Sequence, residues 1–275
     1  MDFTLNYSPQ AAALVRDGTI TIDRFKCPPW RDLVAEARPF APVYIHFDLK
    51  AGNGSLSEKG VDWDAIERWL IETDTPYVNV HLVAPADPHT SDERAVARMI
   101  ADVSAAVARF GAERIICENI PFRGANPDEG GGKYHRACID PANIRRVLDE
   151  TGASFLFDLS HARITAESIG MDARAYMLSL PLDRLSELHV TGLGLVDGMM
   201  SDHMPLNGDD WMWFDWVIGM IGGGALREPW CAAFEYGGIT PKFDWRSDPA
   251  VIGTQVPRMV AASRDATSRR ATIPR

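Results

Sequence analysis

The strongest constraint on this chain is the regular return of short apolar runs separated by longer amphipathic stretches. "FTLNY" (3–7), "ITIDRF" (20–25), "PVYIHF" (42–47) and "YVNVHL" (77–82) come first, then "RIICENI" (114–120), "SFLFDL" (154–159), "RLSELHV" (184–190) and "WCAAFEY" (230–236). Each is too short for a lone helix and rich in β-branched or aromatic residues, the pattern of a buried strand. Between them lie helical segments at 61–73, 91–110, 140–152, 172–181 and 209–221. The third of these opens with Asp140 as N-cap and Pro141 at the first helical position, and stops at Gly152.

Strands alternating with helices imply parallel pairing with right-handed crossovers. Eight such units close into an α/β fold of the (β/α)8 barrel type, whose active site lies at the C-terminal ends of the strands. An open doubly wound sheet is the competing arrangement. No linker or internal repeat divides residues 1–275, so a single domain is expected, with the polar, basic stretch 264–275 as a flexible tail.

Those strand ends carry an unusual set of side chains. Five of the seven histidines fall at or just beyond them: His46, His81, His161, His189 and His203. Four carboxylates join them: Glu118, Asp158, Asp202 and Glu235. One histidine at a strand end is ordinarily a hydrogen-bonded structural residue. Nine such groups aimed at one rim would repel or stay unsatisfied without a cation. Neutral imidazole with ionised carboxylate is the donor set that borderline first-row metals prefer. The candidates exceed what one ion takes, which points to two or three divalent ions. His89 and His135 lie in loop sequence and are expected to face solvent.

The run "ENIP", "FDLSHA", "ELHVTG", an Asp–His loop and a terminal Glu resembles the xylose isomerase-like TIM barrels, endonuclease IV among them. That resemblance implies a metal centre held by His46, His81, Glu118, Asp158, His161, His189, Asp202, His203 and Glu235. The second half, above all "DARAYMLSLPLDRLSELHVTG", is similar to the multinuclear non-heme iron-dependent oxidases, which modify cysteines in ribosomally made peptides. Iron is therefore the favoured metal, with zinc or manganese as alternatives. Both families place one residue between the loop Asp and His, whereas Asp202 and His203 are adjacent here. Both can face one cluster only if the backbone turns sharply, and His203 is then the expected direct ligand.

Ligand types alone leave three chemistries open: oxidation, hydrolysis by zinc or manganese, and isomerisation or epimerisation of a sugar. A metal-binding protein without turnover is a further alternative. Lys50 and Arg123 are the candidate catalytic groups, one beyond the third strand and one in the Gly-rich loop 118–136. Lys133 and Arg136 in that loop either meet an anionic substrate or are solvated charges. Trp211, Trp213 and Trp216 read as packing residues of a helix.

Composition narrows the partners. A formal charge of −10 and a pI of about 5.2 disfavour nucleic acid, leaving a small molecule or a peptide as substrate. No segment has the length and apolarity of a membrane span or the plan of a signal peptide, so a cytoplasmic location without membrane attachment is expected. Cys117 and Cys231 sit in apolar runs and read as reduced core thiols. Oligomeric state is not legible.

Overall fold

A computed structural model describes residues 1–126, 131–196, 198–238 and 246–272. The strands of the first half are β1 (Asp2–Asn6), β2 (Arg24–Cys27), β3 (Val43–Ile45), β4 (Leu49–Ala51), β5 (Val78–Leu82) and β6 (Ile115–Glu118). Those of the second half are β7 (Ser154–Asp158), β8 (Leu185–Val190), β9 (Gly192–Val196), β10 (Met199–Met204) and β11 (Cys231–Phe234). The helices are α1 (Pro9–Arg16), α2 (Arg31–Ala37), α3 (Trp63–Thr73), α4 (Asp92–Phe110) and α5 (Pro141–Thr151). They continue with α6 (Leu159–Ser168), α7 (Ala173–Ser179), α8 (Gly208–Gly222) and α9 (Pro249–Ala271).

Contacts gather into two compact units. Unit 1 comprises residues 1–46, 72–75 and 186–275. Its parallel strands run in the order β3-β2-β1-β11-β8, with β9 and β10 forming a separate antiparallel hairpin. Unit 2 comprises residues 47–71 and 76–185, with parallel strands in the order β7-β6-β5-β4.

The strands form where the apolar runs place them. Phe155, Leu156 and Phe157 are wholly buried in β7, as are Ile115, Ile116 and Cys117 in β6. Strands covered on both faces read as continuous apolar runs, and each large side chain so buried contributes roughly 1.5–3 kcal/mol. All four cysteines are reduced and buried, and burial pushes the thiols of Cys27 and Cys117 up to about 12. Helix α5 starts and stops as its sequence dictates: the Asp140 side chain accepts from Ala142 N and Asn143 N, and Gly152 is left-handed at φ 76°.

Three details differ from expectation. The second strand falls at 24–27 rather than 20–25. The third run gives β3 alone, and β4 (Leu49–Ala51), which no run marked, follows it. The stretch 264–271 belongs to α9, with Ala266 buried and Arg270 donating to the carbonyls of Ile221 (3.1 Å) and Leu226 (2.5 Å). Basic residues in the last turn suit the helix dipole, so composition that looked like a loose tail is a helix end; residues 273–275 lie outside the described ones. No described helix is long and apolar enough to cross a membrane.

In unit 2 the buried Asp102 of α4 organises the loop after β4. It accepts from Gly52 N (2.8 Å), Gly54 N (2.9 Å), Leu56 N (3.2 Å) and Ser57 N (2.8 Å), and from Ser57 Oγ (2.6 Å). Gly52, at φ 117°, comes so close to Ala84 that a Cβ would lie 2.9 Å from its nitrogen.

Candidate metal centre

In unit 2, parallel register sets the first pair of groups. His81 of β5 stands opposite Glu118 of β6, and His81 Nε2 lies 3.1 Å from Glu118 Oε2. Asp158 ends β7 and is also the N-cap of α6, its Oδ1 accepting from His161 N at 2.7 Å. The Asp-x-x-His spacing therefore puts His161 in the first turn of α6. There its Nδ1 is 3.7 Å from Glu118 Oε1, and its Nε2 is 3.7 Å from Asp158 Oδ2. Asn119 continues the pairing past β6, donating to Asp158 O and accepting from Asp158 N, both at 2.9 Å. Glu118 and Asp158 are 1% and 0% exposed, so their charges must be met from within.

The imidazole tautomers show what meets them. A carbonyl oxygen only accepts, so a ring nitrogen beside one carries the proton. His81 Nδ1 is 3.1 Å from Leu49 O, and His161 Nδ1 is 2.8 Å from Asn119 O. Each neutral ring thereby turns its Nε2 lone pair toward a carboxylate. Two electron-rich groups face each other stably only with a proton or a metal ion between them. Burial alone would lower the His81 pKa, but Glu118 beside it and Leu49 O leave it raised. A backbone carbonyl fixing one nitrogen while the other faces acidic ligands is the arrangement of metal-binding histidines.

His135 shows the contrast. Its Nδ1 accepts from Ala137 N (3.2 Å) and its Nε2 donates to Thr90 O (3.0 Å). Both nitrogens are satisfied by backbone, so this ring is structural and largely buried rather than solvent-facing as expected. His89 is exposed.

In unit 1 the cluster is built by alternation. Glu187 and His189 lie two residues apart on β8 and share a face. The rings of His46 and His189 are 5.1 Å apart, and one ligand atom from each of His46, Glu187 and His189 falls within 4.8 Å of the others. His189 Nε2 is 2.8 Å from Glu187 Oε1, and its Nδ1 is 3.3 Å from Glu235 Oε1. Glu187 also accepts from Tyr44 Oη (3.0 Å) and Trp230 Nε1 (3.1 Å). Burial, with Glu187 next, holds the Tyr44 phenol well above its usual value. The buried Lys26 ammonium pairs with the Glu235 carboxylate and lies 3.1 Å from His189 Nε2.

The hairpin supplies the sharp turn that adjacent Asp202 and His203 require. Pairing slips between Ser201 and Met204, and His203 itself is left-handed at φ 62°, a strained conformation for a residue with a Cβ. Its Nδ1 donates to Glu235 O at 2.7 Å, and its Nε2 lies 3.9 Å from Asp202 Oδ1. Arg246 is half-buried near Asp202 and Glu235; burial lowers its pKa against the pull of both.

Lys50 pairs with Asp48 at 3.1 Å and is 44% exposed. Arg123 is half-buried in the loop after β6, where Gly131 N donates to Asn126 O and Ala86 N to Lys133 O. Residues 127–130 of that loop lie outside the described ones. Within unit 2 this loop borders a cleft of about 790 Å³ lined in part by Asp87, Phe122, Tyr134 and Arg136. Trp211, Trp213 and Trp216 pack along α8, with Arg258 of α9 3.8 Å over the Trp211 ring.

Sequence reasoning missed Lys26, Glu187, Tyr44 and Arg246. Period-2 alternation from His189 and His46 already marked Glu187 and Tyr44 as sharing their faces.

No family model matches the chain. A UPF0276 protein of Paraburkholderia phytofirmans is 39% identical over 49 residues, which is 18% of this chain and 16% of that protein. The chain thus matches only about one sixth of that relative's length. Solved structures are similar over nearly the whole chain. An L-ribulose 3-epimerase superposes with TM-score 0.56 at 12% identity, covering 98% of this chain and 94% of that one. The family 2 AP endonuclease of Brucella melitensis gives 0.53 at 12%, covering 88% and 96%. The IOLI protein, solved with a zinc atom, gives 0.54 at 9%, covering 98% of each. These likenesses show the fold, an α/β barrel of the xylose isomerase-like TIM type.

Proposed function

We propose that this chain is an enzyme that uses divalent metal ions, with His81, Glu118, Asp158 and His161 of unit 2 and His46 and His203 of unit 1 as ligands, and His189 positioned by Glu187 and Lys26. Asp202 serves as a ligand or orienting carboxylate, and Glu235 stands beside the ions. The observation that carries this reading is the tautomer pattern: His81, His161 and His203 each commit Nδ1 to a backbone carbonyl. For His81 and His161 this leaves Nε2 against a buried carboxylate. In this fold the C-terminal strand ends are where chemistry is done. We take residues 1–275 as one catalytic domain.

Within that class we favour an oxidase of the multinuclear non-heme iron kind. Two features support it: the resemblance running through "FDLSHA" and "ELHVTG", and a donor set richer in imidazole than sugar isomerisation calls for. Bound iron would supply one-electron chemistry toward dioxygen, with two or three ions per chain. The protein's own groups hold the donors in their tautomers, keep the carboxylates dry and, through Lys50 and Arg123, meet the anionic part of a small-molecule or peptide substrate. The acid-rich composition disfavours nucleic acid.

Epimerisation of a sugar is the second reading, favoured by the sugar epimerases among the similar structures. Protein purified without oxygen and analysed for iron, zinc and manganese tests the metal. Dioxygen uptake by iron-loaded protein with a cysteine-containing peptide is expected under the first reading. Ketose epimerisation by manganese-loaded protein without dioxygen uptake would replace it with the second.

A further inference from the structure

The unit 1 cluster contains a cation of its own. Lys26 is the penultimate residue of β2 with 5% of its side chain exposed, and its ammonium pairs with Glu235. Register puts it there: Lys26 stands opposite Asn6 on β1 and Tyr44 on β3, and the Tyr44 hydroxyl donates to Glu187 at 3.0 Å. The ammonium lies 3.1 Å from His189 Nε2 and 3.5 Å from Nδ1. His189 Nε2 lies 2.8 Å from Glu187 Oε1, and its Nδ1 lies 3.3 Å from Glu235 Oε1. A neutral ring carries one proton, so one of these two nitrogens turns its lone pair toward a carboxylate. This is the imidazole-against-carboxylate clash of unit 2, except that here a positive charge already stands beside both groups.

We propose that Lys26 is the resident cation of this cluster. It neutralises Glu235 and stands beside both Glu235 and His189, so an additional divalent ion drawn to that pair would have to displace it, and it limits the number of ions the chain holds. The inference rests on the metal reading above and goes beyond it by assigning a residue that sets stoichiometry. The physical basis is competition. A buried carboxylate already paired with an ammonium gains less from an ion, which must displace the amine and leave it uncompensated.

The test is titration of zinc(II), and separately manganese(II), into metal-free protein, read by calorimetry and by elemental analysis after gel filtration. The Lys26→Met variant is expected to hold about one more ion per chain than the natural protein, or to bind its weakest ion at least tenfold tighter. Lys26→Arg, which keeps the charge, is expected to match the natural protein. An unchanged or lower ion count and affinity in Lys26→Met would overturn the proposal.

Should Lys26→Met fail to fold by circular dichroism, the Lys26→Met/Glu235→Gln double variant removes both charges together and decides the matter. Binding within threefold of the natural protein supports competition at Glu235. A loss beyond tenfold makes Glu235 an ordinary ligand and Lys26 a bystander. If the natural protein binds neither these ions nor iron(II), the metal reading itself fails, an outcome distinct from either result for Lys26.

Discussion

The clusters of unit 1 and unit 2 use the same side-chain types but balance their charge differently. In unit 1, Glu187 and Glu235 are met by Tyr44, Trp230 and Lys26, all of which donate whatever the state of the imidazoles. In unit 2, Glu118 and Asp158 face His81 and His161, whose other nitrogens are committed to Leu49 O and Asn119 O. The first cluster is complete as protein. In the second, imidazoles face the carboxylates, and their charge depends on a proton or an ion. Histidines and acids at strand ends are therefore not one kind of evidence: what decides is whether the donors around a carboxylate are permanent.

That contrast is broken or upheld most directly by removing carboxylates. Glu118→Gln and Asp158→Asn should each lose at least one metal equivalent or about a hundredfold in affinity, because two imidazole lone pairs are left without their anionic co-ligand. Asparagine at 158 keeps an oxygen to cap α6, so folding should be spared. Full retention of metal by both variants would remove unit 2 from the centre.

Glu187 should behave in the opposite sense. Glu187→Ala removes the acceptor of the buried Tyr44 hydroxyl and of the part-buried Trp230 indole, and an unsatisfied buried donor costs roughly 1–3 kcal/mol. Denaturant unfolding of metal-free protein should show a loss of about 2–4 kcal/mol, with a smaller change in metal affinity than Glu118→Gln gives. A variant as stable as the natural chain would mean that unit 1 is not self-satisfied.

The hairpin sharpens the comparison because His203 belongs to unit 1 yet has the tautomer seen in unit 2. His203→Ala should lower metal content, while Asp202→Asn should keep most of the metal and lose turnover if Asp202 only orients a ligand. His203→Gly should likewise lose metal while gaining about 0.5–1 kcal/mol of backbone stability, since glycine adopts φ 62° without a Cβ clash. Equal metal content in all three would make the strained turn structural.

Much of this was legible in the sequence, and the misses have physical causes. Buried parallel strands announce themselves as apolar runs, so seven of the eight segments expected to be strands sit at or within two residues of their places. The second run is "ITIDRFKC", and β-propensity favours its start. The register instead selects Arg24–Cys27, and this slip hid Lys26, because a lysine past the end of a strand looks solvated. Glu187 was within reach of period-2 alternation but was masked by the resemblance, which drew attention to His189. The β9–β10 hairpin, "GLGLVDGMMSDHM", lacks the alternation of a half-buried sheet, and nothing local foretells a histidine at positive φ. Asp158 carried two signals at once, helix cap and candidate ligand, and the second concealed the first.

The smallest expected effect falls on an exposed ion pair at the edge of the candidate site. Lys50 is 44% exposed and its partner Asp48 is 79% exposed, so their ion pair contributes at most about 0–1 kcal/mol. Lys50→Ala should therefore leave unfolding free energy within about 0.5 kcal/mol of the natural protein and metal content unchanged. Its position still bears on the site, because Lys50 of β4 stands opposite His81 of β5. If it meets the anionic part of the substrate, KM should rise severalfold with kcat little changed, the pattern of a lost binding contact that does not act in the transition state. Asp48→Ala is the control: removing its competing charge should leave KM the same or lower it. A Lys50→Ala variant with natural KM in the same assay would reduce Lys50 to a surface ion pair and leave Arg123 as the cation to examine.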